Sequence, residues 1–108
     1  MTVGDWIAAR VPAAPESLQD RVRHALRSDV DAPGERTADV CLDAAAAILR
    51  GLIEDRRFGR DSAADLLAVD ALMTYAYEYA SAHGTASQLA ELARRGEHLI
   101  GEIALQHG

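Results

Sequence analysis

The segment after Thr85 has the most regular spacing of apolar and polar positions in the chain. Its apolar and small residues recur at intervals of three and four and form one narrow stripe: Leu89, Leu92, Ala93, Gly96, Leu99, Ile100 and Ile103. Charged residues occupy the rest of the circumference. This spacing predicts a long helix with one buried side. Thr85 and Gln88 have the spacing of a capping box, so the helix is predicted to begin at Thr85.

Two earlier long segments carry more apolar surface than one buried side requires. The helix predicted from Thr37 to just before Gly59 has a narrow polar arc, which contains Asp43, Arg50, Glu54 and Arg57. The helix predicted from Ser62 to Gly84 is apolar nearly all round. One side carries Leu66, Val69, Met73, Tyr77 and Ala80, and the opposite side carries Ala68, Leu72, Tyr75 and Tyr79. A helix that is apolar all round is buried on several sides.

Two shorter helices are predicted ahead of the three long ones. The first covers residues 3–11 and places Trp6 on its apolar side. The second covers residues 16–29, and Ser17 and Asp20 at its start have the spacing of a capping box. Both are expected to pack on the long helices.

Short connectors that contain glycine separate the long helices. Gly59 and Gly84 stand where a glycine in the left-handed conformation would end a helix. Connectors of this length make consecutive helices antiparallel neighbours, so Met73 is predicted to lie near Gly96. The predicted fold class is therefore all-α: an antiparallel helical bundle of three long helices plus one medium and one short N-terminal helix. We expect a single helical-bundle domain over residues 1–108.

The composition supports the all-α class and indicates the type of organism and the cellular compartment. Alanine, leucine, arginine and glutamate dominate, and aromatic residues make up 5% of the chain. All 11 basic residues are arginine, a bias typical of a GC-rich bacterial genome. The sequence shows neither an apolar run of membrane-spanning length nor a secretory signal pattern. We therefore expect a bacterial cytoplasmic protein with no membrane segment.

Asp70 is the polar residue that fits the helical pattern least well. It falls inside the apolar arc formed by Leu66 and Met73, and Thr74 and Tyr77 follow one and two turns later. A buried carboxylate must be paired or hydrogen-bonded. One interpretation is a ligand-binding site or general base built from Asp70, Thr74 and Tyr77. The other is a structural carboxylate that binds one of these hydroxyls or an arginine of a neighbouring helix.

The remaining reactive residue types show no catalytic or metal-binding spacing. The four histidines do not occur in the pairs that place two ligands on one helix face: His24, His83, His98 and His107. The one cysteine, Cys41, is interpreted as a small buried apolar residue. Phosphate-binding and metal-diphosphate motifs are absent from the sequence. We therefore predict no catalytic residue, no metal site and no cofactor.

Arg23 and Arg27 lie one turn apart on the second helix and form a basic patch, with Arg10 and Arg21 nearby. Acidic residues are interleaved with it, so the patch is interpreted as a solvated face. The net charge of −6 argues against a general affinity for nucleic acid or anionic lipid. A helix-turn-helix DNA-binding domain is disfavoured because no long helix has a net basic face.

The surplus apolar surface of the two central helices predicts self-association. The candidate interface consists of Leu42, Leu49, Ile53, Leu72, Tyr75 and Tyr79. Single chains rarely expose large apolar patches, and a two-fold contact covers the same patch on both copies. The prediction is a homodimer or higher homo-oligomer. The competing explanation is that the N-terminal helices cover this surface within one chain.

Two functions of different classes remain open. The first is a non-enzymatic protein-interaction or oligomerisation module, with other copies or another protein as its partner. The second is a small-ligand-binding bundle or small enzyme that uses the polar site around Asp70, Thr74 and Tyr77. The first is preferred because it rests on two helices, whereas the second rests on a single carboxylate.

Overall fold

The computed structural model describes residues 1–55 and 62–107, together with the side-chain surroundings of these residues except 100 and 102–107. The described residues are mainly helical and contain no strand beyond one isolated antiparallel bridge between Thr2 and Pro33. The helices are α1 (Val3–Ala8), α2 (Glu16–Leu26), α3 (Thr37–Glu54), α4 (Ala63–His83) and α5 (Ala86–His107). The predicted all-α bundle of three long, one medium and one short helix is confirmed.

Proline and turn residues shorten the two N-terminal helices relative to the prediction. Helix α1 ends at Ala8, and a single 3₁₀ turn, Val11–Ala13, follows it. Pro12 has no N–H to donate, so an α-helix cannot continue through it. Helix α2 begins after Pro15, which places Ser17 inside the first turn. The predicted capping box of Ser17 with Asp20 is therefore wrong.

Two other capping boxes fix the ends of helices. At α5 the Thr85 backbone N–H donates to Gln88 Oε1 over 2.8 Å, and the Gln88 N–H donates to Thr85 Oγ1 over 3.1 Å, as predicted. At α1 the same reciprocal pair joins Thr2 and Asp5, which the sequence analysis missed. The Thr2 hydrogen bonds hold the pKa of Asp5 below its usual value.

The tight turn between α4 and α5 requires glycine for a different reason from the one predicted. Gly84 has extended backbone angles, φ −93° and ψ 169°, so the predicted left-handed conformation is wrong. A Cβ atom at this position would lie 2.7 Å from the Ala80 carbonyl oxygen. Gly84 is needed because the chain passes close to the end of α4. Gly59 lies outside the described residues.

The core forms where α3 and α4 pack along their length. Helix α3 contributes Cys41, Ala45 and Leu49, and α4 contributes Ala68, Leu72 and Ala76. The N-terminal helices cover one side of this pair, with Val3, Trp6, Ile7, Val11, Val22 and Leu26 all buried. Helix α5 covers another side, with Leu92 and Leu99 buried. Gly96 of α5 lies against Met73 and Tyr77 of α4, which confirms the predicted antiparallel register.

Candidate functional site

Asp70 lies on the exposed side of α4, so the prediction that it is inside a buried arc is wrong. The buried side of α4 carries Ala68, Val69, Leu72, Tyr75, Ala76 and Ala80. Leu66, which the prediction placed in the core beside Asp70, is 48% exposed. Since α4 carries apolar residues on every side, its sequence does not mark which side packs inward.

The three residues of the candidate ligand site do not converge on one pocket. The Thr74 hydroxyl donates to the backbone carbonyl of Asp70 over 2.9 Å, a bond within the helix. Tyr77 is half-buried, and its hydroxyl lies against Gly96 of α5. A depression of about 630 Å³ is lined by Thr74 and Tyr77 together with Arg10, Glu78, Ser81 and Ala82, but not by Asp70. Two of the three predicted ligand-site residues thus share this depression, and Asp70 does not line it.

The six residues of the candidate interface are largely covered within the chain. Leu42, Leu49, Leu72 and Tyr75 are buried, while Ile53 and Tyr79 are half-buried. The expectation that this surface is exposed on a single chain is wrong. The competing explanation is correct for α4, because Trp6 of α1 packs its ring edge-on against Tyr75 and Tyr79, with centroids 6.1 and 5.7 Å apart.

Charged groups secure the Trp6 contact at its outer edge. The Arg10 guanidinium lies 3.6 Å above the centre of the Trp6 ring, and its Nε donates to Glu78 over 3.1 Å. Burial, followed by the nearby negative charge of Glu78, raises the pKa of the Tyr75 hydroxyl. Arg10 thus joins α1 to α4 by a cation–π contact and an ion pair. Both groups are engaged in holding the fold.

Cys41 is a core residue rather than a nucleophile. Its side chain is fully buried between α3 and α4, and burial raises the pKa of the thiol to about 12. The reactive thiolate is therefore scarcely populated near neutral pH. Within the described residues, no group of three or more His, Cys, Asp or Glu side chains is placed to hold a metal ion.

One groove runs between α3 and α5 and has a volume of about 780 Å³. Its floor is apolar, with Leu42, Ala46 and Leu99. Its rim is charged, but the charges bind one another. Arg95 donates to Asp39 and Asp43 of α3 over 2.7 Å each, and Arg94 pairs with Glu91 on α5 itself. We call this the ion-paired groove, since these contacts join α5 to α3.

A second groove lies between α2 and α3, and its lining has a different character. It has a volume of about 490 Å³ and a floor of small and apolar residues: Ala25, Ala44, Ala47 and Ile48. Arg21, His24, Arg27 and Asp65 form its rim. We call it the arginine-rimmed groove. The sequence pattern indicated only a solvated face for these arginines, because most of the apolar floor beside them comes from a different helix.

The exposed stripe of α4 begins with two adjacent leucines. Leu66 and Leu67 are 48% and 59% exposed, and Asp70 and Thr74 continue the same stripe. We call Leu66 and Leu67 the leucine pair. The sequence analysis missed it because Leu66 was assigned to the core. No described helix is both long and apolar enough to cross a membrane.

Comparison with known proteins adds no relative to this description. No family model matches the sequence, and neither the curated proteins nor the solved structures give a match.

Proposed function

We propose that this chain is a non-enzymatic protein-interaction module that forms a homodimer through the leucine pair of α4. The supporting observation is that two large apolar side chains adjacent in the sequence, Leu66 and Leu67, are 48% and 59% exposed. The polar residues that follow on the same stripe, Asp70 and Thr74, then form part of the rim of the contact. An apolar centre with a polar rim is typical of protein interfaces. The sequence composition favours the bacterial cytoplasm as its setting.

Covering the leucine pair supplies part of the free energy of dimerisation. Fully burying one leucine side chain contributes about 1.5–3 kcal/mol, and this pair is roughly half exposed in the single chain. A two-fold contact would cover the pair on both copies at once. Covering four half-exposed leucines contributes about 3–6 kcal/mol, whereas a micromolar dissociation constant corresponds to about 8 kcal/mol after the entropy lost on association, so the rim around the pair must supply the remainder.

Light scattering of the purified chain between about 1 and 200 µM tests this proposal. We expect the mass to rise with concentration from 11.6 kDa towards twice that value. Leu66→Glu and Leu67→Glu should each hold the mass at the monomer value while the helical circular dichroism is unchanged. The matched control is Ala90→Glu, which adds the same charge at an exposed position of α5 and should dimerise normally.

Substitutions in the originally predicted interface separate dimerisation from folding. Tyr75→Glu and Leu49→Glu place a charge in the core of the single chain, so we expect them to unfold it rather than dissociate a folded dimer. A wild-type mass that stays at 11.6 kDa up to the highest concentration would reject the homodimer.

A further inference from the structure

We infer that the arginine-rimmed groove between α2 and α3 receives an acidic amphipathic helix from another protein. Neither Leu66 nor Leu67 lines this groove, so the inference does not depend on the homodimer. It concerns a partner of different sequence, recognised by charge and by the shape of the groove floor.

The groove floor is suited to a helix. Ala25 of α2 faces Ala44, Ala47 and Ile48 of α3, and these residues line the groove together. Three of the four side chains are single methyl groups, so the backbone of a docking helix can approach closely. Peptide helices commonly bind by placing an apolar stripe in such a groove between two helices of the receptor.

The groove rim selects for negative charge. Arg21, His24 and Arg27 stand on the rim, whereas Asp65 is its one carboxylate and is already paired with Arg21. Arg27 is exposed, and its guanidinium donates to the His24 carbonyl over 2.6 Å, a bond that holds the side chain at the groove without neutralising it. Since Arg21 and Asp65 cancel each other, the described rim residues carry one net positive charge, on Arg27, in a chain whose net charge is −6.

The ion-paired groove between α3 and α5 shows why charge decides the choice of site. It is larger, but Arg95 is held by Asp39 and Asp43, and Arg94 by Glu91. A partner there would have to compete with existing ion pairs and would meet little net charge. The arginine-rimmed groove offers an excess of positive charge beside apolar surface. A helix whose apolar stripe is flanked by glutamates complements the floor with its stripe and the rim with its charge.

The test uses the full chain and two synthetic helical peptides of about 18 residues, long enough to form helix in water. Both carry the same stripe of alanine and leucine, flanked by glutamates in one and by lysines in the other. We expect the glutamate peptide to bind in fluorescence anisotropy, with amide NMR shifts centred on residues 21–27 and 44–48. The lysine peptide should bind at least about tenfold more weakly. Added salt should weaken the binding of the glutamate peptide.

Variants assign the binding to the groove. Arg27→Glu should lower the affinity for the glutamate peptide by about tenfold. Ala47→Glu, at an exposed position of the groove floor, should lower this affinity by at least as much. Circular dichroism checks that both variants remain folded. If Arg27→Glu is unfolded, Arg27→Gln replaces it in the binding measurement. Arg94→Glu, the matched control, makes the same charge change on α5 and should leave binding unchanged.

Three results would overturn the inference. The first is equal binding of the two peptides, or no binding of the glutamate peptide at millimolar concentration. The second is binding that neither Arg27→Glu nor Ala47→Glu changes. The third is loss of the chain's own dimer in Ala47→Glu, which would make a second copy the occupant. Leu67→Glu distinguishes the two proposals, because Leu67 does not line the groove and this variant should be monomeric and still bind the glutamate peptide.

Discussion

The α3–α4 pair is covered on two sides by segments that differ in length and in kind. The N-terminal cover, α1 and α2 with the 3₁₀ turn between them, is made of short pieces but buries Val3, Trp6, Ile7, Val11, Val22 and Leu26. Helix α5 is 22 residues long, yet among its described side chains only Leu92 and Leu99 are buried hydrophobics. Arg95 also joins α5 to α3 through ion pairs with Asp39 and Asp43.

This difference shows that helix length is a poor guide to what a helix contributes to stability. Burial of apolar area is the main favourable term, whereas solvent-exposed ion pairs contribute little each. The six-residue helix α1 therefore matters more per residue than α5. We expect α5 to open before the N-terminal cover does, and the substitutions below test that comparison in order of decreasing effect.

Trp6→Ala should have the largest effect. It removes the ring that packs on Tyr75 and Tyr79 and on which Arg10 lies, so we expect a loss of about 3–5 kcal/mol in the free energy of unfolding. Urea denaturation followed by circular dichroism measures it. A loss below that of the α5 substitution described next would refute the comparison.

Leu99→Ala should cost less, about 2–3 kcal/mol, because α5 can shift towards the space that the side chain leaves. Native-state hydrogen exchange should show the change chiefly in the amides of α5, while those of α2 and α3 keep their protection. Leu67→Ala is the matched control, since Leu67 is exposed and its truncation should change stability by less than about 0.5 kcal/mol. Uniform loss of protection would show that α5 does not open independently.

Gly96→Ala tests how closely α5 approaches α4. In open space, glycine to alanine within a helix stabilises by about 1 kcal/mol, and Gly51→Ala, with no atom within 4 Å of the new methyl group, should show that gain. At Gly96 the methyl group would overlap the Tyr77 hydroxyl, so the gain should vanish. In a Tyr77→Phe background it should reappear, since the ring carbon that carried the hydroxyl lies 3.7 Å from the methyl position.

Arg95→Ala should have a smaller effect, below about 1 kcal/mol, although it breaks ion pairs with both Asp39 and Asp43. These groups are exposed to water, so the difference from wild type should shrink as salt is raised from about 0.1 to 1 M. Arg23→Ala is the control, because Arg23 is exposed and forms no ion pair with a described residue. A loss of several kcal/mol would mean that ion pairs, not apolar burial, hold α5 in place.

Asp5→Asn should have the smallest effect, visible as a change in pH dependence. The folded-state pKa of Asp5 is lowered from 3.8, so its stabilisation is fully present above pH 3.8 and is lost as the pH falls through the lower folded value. Asp5→Asn removes this part of the acid sensitivity. The Thr85–Gln88 box of α5 has no titrating group, so Gln88→Ala should leave the pH profile unchanged in shape.

The candidate sites show where inference from the sequence succeeded and where it did not. The apolar stripe of α5 was predicted correctly because charged residues surround a single apolar face, which fixes the helix phase. Its capping box was predicted correctly from the local spacing of Thr85 and Gln88. Helix α4 gave no such contrast, so Asp70 was placed in the core and Leu66 beside it. The leucine pair could have been suggested by its position next to Asp70, Thr74 and Glu78 at helical spacing, which together mark a polar stripe.

Local sequence determined the helical class, the number of helices and the antiparallel register of α4 and α5, because propensity, breakers and short connectors act within a few residues of one another. Tertiary structure alone decided which side of α4 faces the core, that Trp6 covers it, and that arginines of α2 stand beside alanines of α3. Those outcomes depend on competition among several apolar faces for one limited core. The faces that enter the core are those with the best fit in shape and the largest total burial over the whole chain, which no single segment encodes.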